Sequence, residues 1–263
     1  MGGIVGVIVD ISEIKKLEKE ILKALEKEKE LNELKSRFIS MASHEFRTPL
    51  TSILASADLL ELYGRKWPED KYYNYVGIIQ KSVEYMTELI NDVLTVSRSE
   101  SGVIVFNPSE NNLHELMKTI IDNLRLSAPD KINILFEYNM EEKVFDLDPK
   151  LLNQVFTNIL SNAIKYSPKG GTVTVSVERE KECISITITD EGIGIPEEDQ
   201  KRLFEPFHRA ENVGTISGTG LGLSIAKKSV EIHHGTLSIK SQVNRGTQVL
   251  IKLNCPGQLQ QSE

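Results

Sequence analysis

From Glu13 to Ser97 the chain repeats apolar residues at threes and fours against a charged background. Ile14, Leu17, Ile21, Leu25, Leu31, Leu34 and Phe38 form one seam, which Met41, Ile53, Leu54, Ala57 and Leu60 continue; Val76, Ile79, Val83, Met86, Ile90, Val93 and Ser97 form a second. That period is helical. Tyr63-Gly64 and Trp67-Pro68 interrupt it and predict a turn. Two long amphipathic helices joined by a short loop fold back as an antiparallel hairpin, which cannot cover both of its apolar faces alone. Two hairpins packed as a four-helix bundle solve that problem, so a homodimer is expected. The mixed-charge stretch Glu13 to Arg37 suits a parallel two-stranded coiled coil. Its seven-residue repeat slips between Ala24 and Glu28, a stutter that locally unwinds a supercoil.

After Ser101-Gly102 the pattern changes character. Val103 to Phe106 reads as a short strand, Leu113 to Leu126 as a helix and Ile132 to Tyr138 as a strand; Asp148 and Pro149 open a helix running to Tyr166. Val173, Val175 and Val177 alternate with polar residues, as do Ile184, Ile186 and Ile188, which predicts two strands with one buried face each. A short helix at Glu197 to Phe204, a Gly/Ser/Thr-rich loop, a helix from Leu221 to His233 and strands at Thr236 to Ser241 and Gln248 to Leu253 follow. The fold class expected is therefore multidomain: an all-α hairpin followed by an α+β layer sandwich.

The chemistry-bearing residues fall in both parts. His44-Glu45, inside the first helical pattern, sets a nucleophilic nitrogen beside a group able to accept its proton. Asn158, Asn162 and Lys165 share one stripe of a helix, with Val155, Ile159 and Ala163 as the adjacent core-facing stripe. Neutral amide oxygens suit Mg²⁺, which keeps several waters and binds few protein groups alongside phosphate oxygens, and Lys165 can neutralise phosphate charge. Asp190 closes a strand before Gly192 and Gly194; a carboxylate there can accept from an exocyclic amine and so favour adenine over guanine, while the glycines admit close backbone approach. Gly218-Thr219-Gly220-Leu221-Gly222-Leu223 precedes a helix, where free N–H groups and the positive helix end meet phosphates. It is neither a Walker loop nor a dinucleotide fingerprint.

Ser43 to Leu50 resembles the phosphoacceptor box of sensor histidine kinases. The downstream elements resemble, in order, that family's asparagine box, first glycine box, phenylalanine box (Phe204 to Arg209) and second glycine box. The resemblance spans about Glu13 to Leu253 and implies a dimerisation and phosphoacceptor domain followed by an ATPase domain of the histidine-kinase/GHKL (Bergerat) type. It implies ATP and Mg²⁺ as cofactors, Asn162 as principal metal ligand with Asn158 in support, and nucleotide contacts from Lys165, Tyr166, Asp190, Gly192, Gly194, the second glycine box and Thr247. Arg209 would meet the γ-phosphate, Asn212 to Ser217 would be a mobile lid, and Thr48 would position a water for a phosphatase reaction. Implied catalytic residues are thus His44, Glu45, Thr48 and Arg209. Pro49 removes a helical hydrogen bond just past the histidine, and a helix bendable there is a way to switch states.

Val9 to Glu13 resembles the last strand and exit of a PAS sensor domain, although an added or swapped edge strand fits Gly3 to Ile11 as well. The expected divisions are 1–12 (sensor end), 13–37 (coiled-coil linker), 38–101 (dimerisation and phosphotransfer), 102–255 (catalytic) and 256–263 (tail). The expected partners are a second copy, a separate response-regulator receiver and an upstream sensor domain. A net charge of −7 over 263 residues supplies no basic face, which argues against nucleic acid. No run of eighteen apolar residues exists, so this segment is expected to be cytoplasmic without membrane contact, whatever anchors the full-length protein upstream. Cys183 and Cys255 form neither a metal spacing nor a disulfide framework. Two other readings remain open: an ATPase related to type II topoisomerases and mismatch-repair proteins, and a non-catalytic signalling scaffold.

Overall fold

The computed structural model describes residues 12–100, 105–180, 183–214, 216 and 218–254. The strand expected at Gly3 to Ile11, with its PAS resemblance, and the tail lie outside the described residues. The backbone divides into two compact units, Met1–Thr48 and Pro49–Glu263. The boundary falls inside a single helix, α1 (Ser12–Tyr63), which contains Pro49. In the first unit Leu17, Ile21 and Leu25, three residues of the apolar seam, are more than half exposed.

The second unit begins with the last turns of α1. A 3₁₀ turn at Gly64–Lys66 leads to α2 (Glu69–Glu100), so Tyr63-Gly64 and Trp67-Pro68 do mark the reversal. Aromatic stacking holds it: the Trp67 ring lies 6.2 Å from Tyr63 and 4.8 Å from Tyr75, with Lys71 over its face. Pro68 suits the entry to α2, because its carbonyl accepts from the N–H groups of Lys71 and Tyr72 while it has no N–H of its own to satisfy.

A five-stranded sheet forms the rest, in the order β2 (Ile132–Asn139), β4 (Gly171–Glu180), β5 (Cys183–Asp190), β7 (Gly246–Asn254), β6 (Thr236–Gln242). Among the described strands of this sheet only the β2–β4 pair is parallel. Helices α3 (Leu113–Ser127), α4 (Pro149–Lys165) and α6 (Gly222–Ile232) form the second layer, with α4 between the other two. The alternation read in the sequence puts Val173, Val175, Val177, Ile184, Ile186 and Ile188 on the buried face, against Leu152, Val155, Phe156, Ile159 and Ala163 of α4. Asp148 caps α4 by accepting from the N–H groups of Lys150 and Leu151, and Pro149 takes the first helical position. This core sets the height and rotation of α4, and so the direction of its polar stripe.

Two expectations need correction. Val105 and Phe106 are not strand; the first strand, β1 (Ser109–Asn112), begins later and pairs antiparallel with β3 (Val144–Leu147). Phe106 instead meets the ring of His233 edge-on, and the Asn107 N–H donates to the Asp148 carboxylate, so side-chain contacts rather than a ladder pin this segment. Val103 and Ile104 lie outside the described residues. The helix expected at Glu197 to Phe204 stops after one turn, as α5 (Glu197–Gln200). Asp199 is buried there and accepts from His208 Nε2 and the Glu211 N–H, which ties α5 to the segment that follows Pro206.

Phe156 is fully buried at the centre of the layer. Phe156→Ala is expected to destabilise this unit by about 3–5 kcal/mol, read as a lowered midpoint in urea unfolding followed by circular dichroism.

Candidate nucleotide site

One cavity of about 340 Å³ opens between α4, the end of β5, the glycine loop before α6 and the segment after α5. The residues expected to contact nucleotide converge on it. Asn158, Asn162, Lys165, Tyr166, Asp190, Gly194, Arg209, Gly218, Thr219, Gly220, Gly222, Leu223 and Thr247 all line it. Gly192 and Leu221, also expected as contacts, are not among the residues that line it. The Gly192 N–H donates to Asp190, and the fully buried Leu221 side chain anchors its loop in the interior.

Asp190 is held by two backbone donors. It ends β5 opposite Thr247 of β7, and its Oδ1 accepts from the N–H groups of Gly192 at 2.9 Å and Thr247 at 3.2 Å. Both bonds fall on one oxygen, so Oδ2 is left to accept from something else. Burial pushes the carboxyl above its ordinary range, with the two backbone donors partly offsetting that rise. Two glycines make the approach of the neighbouring loops feasible. At Gly246 (φ +93°) an added Cβ would lie 1.8 Å from the Asp190 carbonyl oxygen, and at Gly194 (φ +66°) 2.0 Å from that of Gln242.

Positive charge gathers on the same cavity. Burial lowers the Lys165 ammonium below its usual range, Glu88 opposes that and Arg209 adds to it. Burial likewise raises the Tyr166 hydroxyl, with Arg209 pulling it back. Arg209 donates to the Ile216 carbonyl, yet its Nε is buried without a partner among the described residues. A buried donor without an acceptor is costly and marks a place where an anion would be welcome. The segment carrying Arg209 is tied to the glycine loop, since the Phe207 N–H donates to the Gly220 carbonyl while Phe207 itself sits at φ +63°. Such backbone strain persists where the surroundings over-determine it.

The asparagine stripe suits a hard cation. Asn158 Nδ2 donates to the Gly222 carbonyl at 3.2 Å, which commits the amide nitrogen and frees Oδ1 as the acceptor. No cluster of three or more His, Cys, Asp or Glu with metal-holding geometry occurs among the described residues. A divalent cation here would take amide oxygens and ligand phosphates, a donor set that fits Mg²⁺.

In the first unit His44 is largely exposed on α1, with Nδ1 3.7 Å from Glu45 Oε1. That is an electrostatic approach rather than a hydrogen bond. Thr48, one turn further along the helix, is also exposed. The sequence reading missed three features. Asp199 and His208 form a nearly buried pair 3.1 Å apart, His208 being the residue just before Arg209. His233 is buried: its Nε2 accepts from the Asp148 N–H, so its Nδ1 carries the proton donated to the Ser229 carbonyl. Glu88 and Asp92 of α2 line the cavity. Only contact across the chain reveals such residues, although the heptad-like spacing of α2 could have marked Glu88 and Asp92 as one face.

Because burial raises the folded-state pKa of Asp190, its charge costs stability at neutral pH. That cost is absent below the unfolded value near 3.8 and is complete once pH has risen through the folded value. Asp190→Asn is therefore expected to keep or raise stability at pH 7. As pH falls through that window, wild type should gain on the variant, as checked by urea midpoints across a pH series.

Comparison with known proteins then gives the family. Residues 34–102 match the His Kinase A (phospho-acceptor) domain, and residues 147–257 match the histidine kinase-, DNA gyrase B- and HSP90-like ATPase. The sensor histidine kinase WalK of Bacillus subtilis is 32% identical over 255 residues, covering 95% of this chain and 39% of that protein. The histidine kinase AdeS of Acinetobacter baumannii superposes with a TM-score of 0.65 at 24% identity, over 81% of this chain and 98% of that one. Histidine kinase ThkA, solved in complex with response regulator protein TrrA, gives a TM-score of 0.67 at 22% identity over 94% of this chain and 68% of that one. The last two likenesses establish the fold. The chain spans about two fifths of the length of WalK. With a phosphoacceptor hairpin followed by this ATPase domain, the chain belongs to the sensor histidine kinases of two-component systems.

Proposed function

We propose that this chain is a transmitter core that moves the γ-phosphoryl group of Mg-ATP onto His44 and from there to an aspartate of a separate response regulator. One observation supports it above the others. A single cavity holds a buried carboxylate with a spare oxygen, Asp190, together with two cations, Lys165 and Arg209, and a glycine loop at the start of α6. That is what an adenine amine and a polyphosphate require of one binding site.

In this reading Asp190 Oδ2 accepts from the adenine amine, and Gly194 and Thr247 border the base. The loop Gly218 to Leu223 offers backbone N–H groups to the phosphates, and Arg209 satisfies its buried Nε on the γ-phosphate. Lys165 and Tyr166 flank the phosphates, and Asn162 and Asn158 contribute amide oxygens to Mg²⁺, which when bound offsets charge on the transferring group. His44 attacks the γ-phosphorus through a ring nitrogen as the bond to the leaving ADP oxygen breaks. Glu45 takes the proton that the imidazole sheds, and a phosphoramidate results. Thr48, four residues on and so on the same face of α1, would position water for the reverse task of dephosphorylating the regulator.

The remaining expectations join this proposal. Exposed Leu50, Leu54, Leu62, Val83, Ile90 and Leu94 give the hairpin an uncovered apolar surface, as a homodimeric bundle requires. The divisions 13–37, 38–101 and 102–255 would be linker, phosphotransfer and catalytic parts, taking their signal from an upstream sensor. No helix among the described residues is long and apolar enough to cross a membrane.

The test is transfer of label from γ-labelled ATP in the presence of Mg²⁺. Wild type is expected to acquire acid-labile, base-stable label, and His44→Gln to lose essentially all of it. ATP hydrolysis unchanged in His44→Gln, with no protein label in wild type, would instead favour a plain ATPase.

A further inference from the structure

Helix α2 brings two carboxylates to the nucleotide cavity. Glu88 and Asp92 lie four residues apart, hence on one face, and both line it. The Thr219 hydroxyl donates to Asp92 Oδ2 at 2.8 Å and accepts from the Leu221 N–H at 3.3 Å. A hydroxyl has one proton to give. While Asp92 receives it, a phosphate oxygen cannot. The bond is half-sheltered: burial raises the Asp92 carboxyl, the Thr219 hydroxyl lowers it again, and Glu88 adds to the rise. Glu88 also acts on Lys165, one of the two cations of the cavity, the other being Arg209. Helix α2 packs on α6, the helix that the glycine loop opens.

We propose that Asp92, with Glu88 beside it, is an internal latch that stands in for phosphate at the second glycine loop and must let go when nucleotide enters. This rests on the reading of the cavity as an ATP site and concerns how that site is regulated. The carboxylates offer Thr219 and Lys165 negative charge of the same kind that a triphosphate brings, and like charges so close together repel. Latch and nucleotide are therefore competitors. Coupling of this kind is reciprocal: any movement of α2 that frees Thr219 raises nucleotide affinity, and bound nucleotide favours the freed α2 by the same factor. Since α2 belongs to the phosphoacceptor hairpin, a signal reaching the hairpin has a route to the occupancy of the ATP site that needs no change within the ATPase domain.

Calorimetric titration of the whole chain with β,γ-imido-ATP and Mg²⁺ tests this on wild type, Asp92→Ala and Glu88→Gln. The latch predicts binding about fivefold or more tighter for Asp92→Ala, the lower end of ordinary coupling, and a smaller gain for Glu88→Gln. Adenosine, which has no phosphate to compete, should bind wild type and Asp92→Ala alike. Equal or weaker β,γ-imido-ATP binding by an Asp92→Ala chain with wild-type circular dichroism would overturn the latch and leave the ATP site standing. Tightening by the same factor for adenosine would overturn it too. If Asp92→Ala does not fold, the exposed Glu88→Gln decides, a gain supporting the latch and its absence overturning it. Failure of every folded chain to bind β,γ-imido-ATP would remove the ATP-site reading and the latch together.

Discussion

A carboxylate taken out of water must be met by donors, and the second unit meets that demand at Asp190 with backbone N–H groups from two separate segments. Strand β7 lies beside β5 so that the Thr247 N–H reaches the Asp190 carboxylate, and the turn after β5 bends so that the Gly192 N–H does the same. The turn is closed by the Ile193 N–H donating to the Tyr166 carbonyl, which ties the end of β5 to the end of α4. Three segments distant in sequence thus become one wall. The charge costs folding free energy through desolvation, and buried carboxylates of this kind gather at functional sites.

Across the cavity the logic reverses. Lys165 and Arg209 are two cations on one cavity, and one guanidinium nitrogen is buried without an acceptor among the described residues. A site that combines a hydrogen-bonded buried carboxylate with two cations, one of them with a buried nitrogen left without a partner among the described residues, is asymmetric. It suits a ligand with a donor at one part and multiple negative charges at another. The α2 carboxylates partly fill the negative role in this conformation, so the cavity and the hairpin share one electrostatic problem.

Much of this was legible in the residues alone, for identifiable reasons. The period-two runs at Val173 and Ile184 and the Asp148-Pro149 start of α4 carry strong local signals, and the structure places them as read. The four-and-three spacing of Asn158, Asn162 and Lys165 is sufficient to aim all three at one cavity. What was not legible depends on contacts between distant residues. β1 has the polar sequence Ser-Glu-Asn-Asn and exists because β3 offers it a ladder, whereas the apolar Val105-Phe106 next to it does not pair. The α5 helix stops at Gln200, and Asp199 within it is committed to His208 and Glu211, partners that only the folded chain brings near. His233 read only as the end of a helix, yet it is a buried joint between α6 and the start of α4. Asp92 was legible only as sharing a helix face with Glu88, and a charge on an amphipathic helix is ordinarily solvated.

The most direct measurement of the central claim is an amide nitrogen–proton spectrum of the labelled chain, titrated with β,γ-imido-ATP or the matching guanine nucleotide in the presence of Mg²⁺. The account predicts that the adenine nucleotide shifts the Gly192 and Thr247 amides that hold Asp190, together with those of Gly218, Gly220 and Gly222, and that the guanine nucleotide leaves Gly192 and Thr247 unmoved. Shifts that spare these amides, or that are the same for both bases, would contradict it.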